Sequence, residues 1–442
     1  VSLAGAPSRG GQPLPPSLLP RLIPPDGPLP LAEHVGRYGP VPFHVSGELA
    51  AEADRAGLAG RGGAGFPAGR KMRAVTAAAA ARRPGRLSPA RGSVVVANGV
   101  ESELASGKDG VLLGRSPHLV LDGIALAAAA VGAGRAYLCL PSGQPGLAGQ
   151  LRAAVTERER AGLNRVPIQV AEIPGGYLAS QETALISFLN GGPQLPAFVP
   201  PRPAEKGAHG RPTLVQNVET LAHLALIARY GAAWFRGLGA PQSPGSALVT
   251  ISGAVRRPCV LEIELGSRLG DLLERAGGPA GPPQAILAGG YFGGWLPYPA
   301  ALDVRVTDAD LRAAGAALGP GIFIVLPESA CGLAETARTV CYLASQSAGQ
   351  CGPCRHGLPA LAAAFEHIAF ARPDRETTGW ARQLLTLVAG RGACHLPDGT
   401  AAFAASALRV FRDDLDRHAG SGPCPQAARS AVLPLPARGG RP

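Results

Sequence analysis

The sequence predicts a multidomain α/β + α chain: an α/β domain on a mostly parallel sheet, a small β-grasp module, and a C-terminal helical bundle. Three observations predict it. Between residues 36 and 240, short apolar runs alternate with segments of helical periodicity. From residue 245 to 330 the pattern changes to two strand-like runs around a turn at Arg257-Pro258, then a short helix and further strands. From 331 to 425 apolar residues recur at helical spacing. At 442 residues and 46% hydrophobic content, the chain has length for several cores.

Residues 1–35 are rich in Pro and Gly (PLPPSLLP, PPDGPLP) and read as an extended arm, and 426–442 as a flexible tail. SVVVAN (93–98) reads as a buried strand ending at a loop. SPHLVLDGIALAAAAVGA (116–133) reads as a helix, with Ser116 and Pro117 at its start. Then follow a strand at 135–140, a helix at 146–162 and a strand at 166–173. Alternation of this kind places ligand loops at the C-terminal ends of parallel strands. The segment 246–278 reads as strand, turn, strand and helix, and AILAGGYFGGWLP (286–297) as a further strand and a glycine-rich turn. Four helices are expected after 331, the last running through AAFAASALRVFRDDLDRHA.

The net charge of +11 raises the question of nucleic acid. Arg outnumbers Lys 39 to 3 and is scattered rather than gathered into a stripe, so composition explains the charge and no nucleic-acid partner is expected. Of the three lysines, Lys71 and Lys108 fall inside candidate cofactor loops, where a compact ammonium is expected for its geometry. The apolar run from Leu119 to Gly134 is broken by Asp122 and reads as a packed helix, so no direct membrane insertion is expected. Eight cysteines are too sparse for a disulfide scaffold, which makes a cytoplasmic location the expectation.

The most informative segment is GLAGRGGAGFPAGRK (57–71). Six glycines in fifteen residues let backbone N–H groups close on an anion, and Arg61 and Lys71 supply fixed positive charge. In order after it come ANGVESELASGKD (97–109), GGYLASQETAL (175–185), RPTLVQNVETLA (211–222), GQCGPCRHG (349–357) and Cys394. That series resembles the NADH-binding flavoprotein subunit of respiratory complex I, also found as the diaphorase subunit of NAD-linked hydrogenases and formate dehydrogenases. The resemblance runs from about Gly57 to about Pro425. It implies an FMN-binding α/β domain, a β-grasp module of the soluble-ligand-binding (SLBB) type, and a bundle carrying an iron–sulfur motif.

By the same resemblance FMN is held by Gly60, Arg61, Gly62, Lys71, Asn98, Glu101, Glu182 and Asn217, and NADH by Phe66, Glu103 and Glu182. Some neighbours depart from the family. Val100 stands for an Asp, Ser180-Gln181 for Gly-Glu, and Gln216 for the first Asn of Asn-Asn-Val-Glu. Loss of negative charge near the ring is expected to favour reduced, anionic flavin and raise its potential. The family's second aromatic after the glycine loop falls on Ala74, and another falls near Arg202.

A thiolate-held cluster shows a tight Cys group and a distant partner. The family's Ser-Cys-Gly-x-Cys-x-Pro-Cys-Arg is matched from Ser347 to Arg355 with Ala348 at the first ligand position, leaving Cys351, Cys354 and Cys394. Three readings stay open: a [4Fe–4S] or [3Fe–4S] cluster on three thiolates, with water, Cys341 or another group at the open corner; relic cysteines packed as small apolar residues; or zinc completed by His356 or His395. Cys139, Cys259 and Cys331 read as core residues, Cys424 is given no ligand role, and His418 reads as a helix C-terminal charge.

The resemblance implies electron transfer from NAD(P)H through FMN and an iron–sulfur centre to a protein partner. That partner would be an iron–sulfur or ferredoxin-type protein or a membrane reductase, giving peripheral association with the inner membrane. No catalytic triad or activated nucleophile is needed, and none is seen. Two alternatives remain at this point: a non-catalytic scaffold, and a flavoprotein fed by a ferredoxin-type partner instead of NADH.

Overall fold

The computed structural model describes residues 19–24, 27–82 and 92–436. Residues 1–18 of the expected arm and 437–442 of the expected tail lie outside them. Three short helices, α1 (Leu31–Tyr38), α2 (Leu49–Ala56) and α3 (Ala68–Ala81), precede the first strand. The parallel sheet has the order β3-β2-β1-β4, from β1 (Ser93–Asn98), β2 (Ala133–Pro141), β3 (Ile168–Ile173) and β4 (Thr213–Asn217). Its crossovers carry α4 (Lys108–Arg115), α5 (Pro117–Ala130), α6 (Pro145–Arg160) and α7 (Glu182–Leu189). After β4 comes α8 (Val218–Arg236), interrupted at Gly231, whose φ is +83°.

The chain lays down β1, β2 and β3 in one direction, then returns to place β4 on the other side of β1. The sheet order therefore reverses between β1 and β4, and a crevice opens at their C-terminal ends. Asn98 and Asn217 are register partners there.

The Asp122 that breaks the apolar run of α5 is fully buried. Arg158 (2.7 Å), Arg229 (2.5 Å) and His34 (2.8 Å) converge on it. Burial would raise its carboxyl, but the His34 hydrogen bond and the two guanidinium groups outweigh that and hold it well below the usual carboxylate range. The network fixes α5 against α1, α6 and α8. No single helix among the described residues is long and apolar enough to cross a membrane.

Next comes a two-residue ladder, β5 (Gly239–Ala240) with β6 (Ser243–Pro244), and then a five-stranded mixed sheet of order β10-β9-β11-β7-β8. It comprises β7 (Ser246–Gly253), β8 (Cys259–Glu264), β9 (Pro283–Ala288), β10 (Gly294–Pro297) and β11 (Ile322–Pro327). Helices α9 (Leu269–Arg275) and α10 (Asp308–Ala313) lie in its connections. Parallel pairing of β11 with β7 between antiparallel neighbours gives the β-grasp arrangement.

The helical region holds α11 (Gly332–Ser345), α12 (Leu358–Phe370), α13 (Arg375–Val388), α14 (Leu396–Val410) and α15 (Arg412–Ser421). The expected fourth helix is thus two. The break falls at Phe411, buried edge-on against Trp295 at 5.3 Å, so packing of that ring overrides the helical periodicity through it. Trp295 from β10 also donates to the Thr336 hydroxyl of α11 at 3.0 Å, which joins the β-grasp sheet to the bundle.

Both ends are held more firmly than their composition suggests. The Arg21 and Leu22 N–H groups donate to Glu262 (both 2.8 Å), and Leu22 is fully buried. At the other end the Val432 and Leu433 N–H groups donate to Glu335 (both 2.9 Å), and Leu433 is buried. In each case one buried carboxylate from a distant element captures the backbone, a contact that local composition does not encode.

Candidate functional site: the β1/β4 crevice and the thiolate loop

The glycine loop closes over the crevice. Gly60 N–H donates to the Phe66 carbonyl, Ala59 bridges to Pro67, and residues 62–67 are exposed. A Cβ at Gly62 would lie 3.4 Å from the Cβ of Asn217, so the loop backbone runs against the N-terminus of α8. Phe66 is exposed, with Arg70 lying 5.5 Å from its ring centroid. Lys71, on α3, points its ammonium at Glu182, the first residue of α7, at 3.1 Å, and both remain partly open to solvent. Ala74 is exposed one turn further along α3, and Arg202 is exposed on the following loop.

Other expected contacts are engaged within the protein. The Arg61 guanidinium is buried, donates to the Ser246 carbonyl (3.0 Å) and lies 3.8 Å from Glu219. Asn98 donates to the Ser180 carbonyl and accepts from Val100 N–H. Glu101 accepts from the N–H groups of Asp109 and Gly110, which caps α4. Asn217 caps α8 through Glu219 N–H and donates to Asp109 at 2.7 Å. Gln181, the neutral replacement for a family Glu, caps α7 through the Thr183 and Ala184 N–H groups. These residues shape the crevice, while Lys71, Glu182, Phe66 and the glycine backbone remain open to a ligand.

Lys108 lies beneath the crevice floor rather than in it. Its ammonium has three protons and three acceptors: Glu219 at 2.7 Å, Asp109 at 2.9 Å and Asn217 at 3.5 Å. Burial would lower its pKa, but the two carboxylates reverse that and push it above its ordinary value. Burial raises Asp109, an effect that Lys108 only partly offsets.

Three features fit a phosphorylated flavin. The donor set is cationic at Lys71 and helix-terminal at α8. The exposed glycine backbone leaves room for close approach. The amide nitrogen of buried Gln216, beside Asn217, lacks a partner among the described residues. A separate cavity of about 210 Å³ lies behind the glycine loop, toward Leu248 and Gly319, and includes neither Lys71 nor the two asparagines.

Glu103 sits at the junction of the three units. One carboxylate oxygen accepts from the Tyr177 hydroxyl (2.6 Å) and the Tyr291 N–H (3.3 Å), and the other is buried without a partner among the described residues. Burial pushes its carboxyl up to about 7, against the Tyr177 and Tyr291 hydrogen bonds that lower it. Below about 4.5 the carboxyl is protonated in folded and unfolded chains alike. Between 4.5 and about 7 the unfolded chain releases a proton that the folded chain keeps, so stability falls as pH rises, then levels off. Glu103→Gln is expected to remove that slope, a difference of up to about 3 kcal/mol across the window, read from urea midpoints at several pH values.

The Tyr177 ring packs between Tyr291 and Phe292 of the β-grasp module and Tyr342 of α11. Tyr177 N–H donates to the Gln346 side chain at 2.9 Å. The loop that leads to Glu182 is therefore bonded directly to the loop that leads to Ala348 and Cys351.

In that second loop Cys354 is buried on a π-helical turn (Pro353–Gly357), and Cys351 and Cys394 are half-buried. The Cys351 sulfur accepts from the Ala393 and Cys354 N–H groups, and that of Cys394 from Leu396 N–H. Burial raises the Cys351 thiol, but these bonds outweigh it and bring it below its ordinary value. Backbone donors aimed at sulfur fit a thiolate-held cluster. The zinc reading at this loop is not supported: among the described residues, the trio of His, Cys or acidic ligand atoms mutually within 4.8 Å lies elsewhere.

The sequence profile of the Nuo51 FMN-binding domain matches residues 53–226, that of the SLBB domain 248–291, and that of the NADH-ubiquinone oxidoreductase-F iron-sulfur binding region 334–418. The chain is 31% identical over 407 residues to one of the F subunits of NADH-quinone oxidoreductase in Rhizobium meliloti, the second of that name, covering 89% of this chain and 93% of that protein. It is 32% identical over 396 residues to the F subunit of NADH-quinone oxidoreductase in Mycobacterium tuberculosis, covering 85% and 86%. A chain of the NAD+-reducing [NiFe]-hydrogenase in the air-oxidized state superposes with a TM-score of 0.76 at 32% identity. That match covers 88% of this chain and 66% of the other, so this chain spans about two thirds of that one.

Proposed function

Because this chain belongs to the family of the NADH-quinone oxidoreductase F subunits, the NADH-binding flavoproteins, we propose that it passes electrons from NADH through FMN to an iron–sulfur centre and on to a partner subunit. The observation that carries the reading is the crevice at the β1/β4 reversal, roofed by an exposed glycine loop and tied through Tyr177 and Gln346 to the thiolate loop. Bound FMN supplies the conversion between a two-electron hydride donor and one-electron carriers.

The chain's own residues bind and orient. Lys71 balances phosphate charge, and the α8 N-terminus adds its dipole. Gly60 and Gly62 keep the loop free of side chains. Glu101, Asn98 and Asn217 hold the strand-end loops in register. Phe66 offers an exposed ring for stacking and Glu182 a carboxylate oxygen to ribose or carboxamide, while Glu103 is engaged with Tyr177 and Tyr291 and braces the junction. Cys351, Cys354 and Cys394 would hold an iron–sulfur cluster on three thiolates. Cys351 is half-buried and flanked by exposed Gly349 and Gln350, so the centre lies near a surface that an iron–sulfur protein can approach. Through such a partner the chain would sit at the periphery of a membrane complex.

A scaffold role accounts less well for an open Lys71–Glu182 pair and an exposed Phe66. The test is the visible spectrum of anaerobically reconstituted protein before and after NADH. Bleaching of the flavin band is expected. A band that dithionite bleaches and NADH does not would overturn the donor, and absence of bound flavin would overturn the whole reading.

Restoring the lost aromatic is a sharper probe of the nicotinamide side. Ala74→Phe is expected to lower the NADH KM by about 2- to 10-fold, the equivalent of ~0.5–1.5 kcal/mol of ring stacking. Steady-state diaphorase assays would measure it, and an unchanged KM would place the dinucleotide away from α3.

A further inference from the structure

Cys331, His418 and Cys424 come together although 87 residues separate the first two. Their ligand atoms lie within 4.8 Å of one another, and Cys331 Sγ is 3.8 Å from His418 Nε2. We propose that this trio is a zinc site, distinct from the iron–sulfur thiolates, that clasps the two ends of the helical region.

The spacing is close to what one ion needs. Tetrahedral zinc with Zn–S near 2.3 Å and Zn–N near 2.0 Å sets S···N at about 3.6 Å, so the Cys331–His418 pair needs to close by only a few tenths of an ångström, with Cys424 Sγ within 4.8 Å of both. Charge also balances: two thiolates and a neutral imidazole around a divalent ion sum to zero, which makes a buried site tolerable. His418 is fully buried rather than a charge at a helix end. Its Nδ1 lies 3.1 Å from the Ile368 carbonyl, and its Nε2 accepts from Cys424 N–H at 3.1 Å. Those contacts define the Nδ1–H tautomer, and an ion at Nε2 would take the lone pair that the Cys424 N–H now occupies. A carbonyl on the far nitrogen is the orienting contact that metal-bound histidines use.

Cys331 is the buried N-cap residue of α11, so its sulfur lies at the start of that helix beside His418. Burial holds the Cys331 thiol above its ordinary value, so an ion bound here would displace its proton, as metals do on coordinating cysteine. Two cysteines and one histidine select a borderline-soft ion, zinc among the common divalents. Three protein ligands leave a fourth tetrahedral position, which water would fill, and half-buried Cys424 is the member of the trio nearest solvent.

The consequence is mechanical. Cys331 begins the helical region directly after β11, His418 lies in the last turn of α15, and Cys424 leads into the segment that Glu335 anchors. An ion here ties entry and exit of the bundle together while leaving Cys351, Cys354 and Cys394 untouched.

The experiment is metal analysis of the full chain after anaerobic reconstitution with zinc, alongside cobalt substitution. Wild type is expected to hold about one zinc, and the Cys351→Ser/Cys354→Ser/Cys394→Ser variant to keep it while losing its iron. Cys424→Ser, at a half-buried position that tolerates serine, is expected to weaken zinc binding by about tenfold or more while keeping its iron. Cobalt should give sulfur-to-metal charge-transfer bands in wild type that weaken in Cys424→Ser. Zinc that follows the iron-site cysteines would overturn the proposal. So would the absence of bound zinc and cobalt, or an intact mass two hydrogens lighter with Cys331 and Cys424 in one linked peptide.

Discussion

Lys108→Met is expected to destabilise the protein by about 3–5 kcal/mol, because it strands Asp109 and Glu219 as buried carboxylates without their shared cation. Asp109 then protonates most readily, since burial already raises it. Glu219 also accepts from the Leu248 N–H (2.9 Å) and faces Arg61, so the damage reaches the junction of the crevice with the β-grasp sheet. Flavin retention is expected to fall with stability, because Asn217 loses Lys108 and its Asp109 partner shifts. Lys108→Arg is not a conservative rescue, as a larger guanidinium must enter a fully enclosed site at a cost of about 1–3 kcal/mol. Lys206→Met, at an exposed lysine, is the control and should stay within about 0.5 kcal/mol. Urea unfolding of the three variants measures the contrast, and equal midpoints for Lys108→Met and Lys206→Met would refute it.

The second large effect is expected from restoring the missing thiol. Ala348→Cys places a fourth sulfur at the position the family pattern uses, one residue past Ser347, whose hydroxyl contacts the Cys354 carbonyl. A cluster on three thiolates leaves one iron corner to a weaker ligand, so it sheds iron more readily and exposes that corner to oxidants. Ala348→Cys is expected to raise iron per chain after identical reconstitution and to slow iron loss in air by about tenfold, the scale typical of changes in ligand shell. Iron content against time in air is the measurement. An unchanged content would mean that a residue other than a thiolate already closes the fourth corner.

The strands of the parallel sheet were legible because each is a short apolar run bounded by turn residues, and SVVVAN ends at Asn98 in the structure as its pattern predicts. The crevice was legible only as loops. That β4 returns beside β1, bringing Asn217 against Asn98, depends on long-range pairing that carries no local signal. Helix α4 was missed because KDGVLLGR is short and holds two glycines, and its cap comes from Glu101 rather than from its preceding residue. Lys108 was singled out for its rarity and expected in a cofactor loop, yet it is buried among Asp109, Glu219 and Asn217, the last two being partners that only long-range folding supplies. The Cys331–His418–Cys424 cluster shows no ligand spacing in the sequence, because 87 positions separate its first two members and only the fold brings them together.

One chain is proposed to join a flavin reduced by NADH to a three-thiolate cluster. Low-temperature EPR of the anaerobically reconstituted protein after NADH, paired with Cys354→Ser, tests that link most directly. NADH is expected to bleach the flavin band in both proteins and to change a cluster signal in the parent alone. A parent cluster that dithionite reduces and NADH does not, beside a bleached flavin, would contradict it.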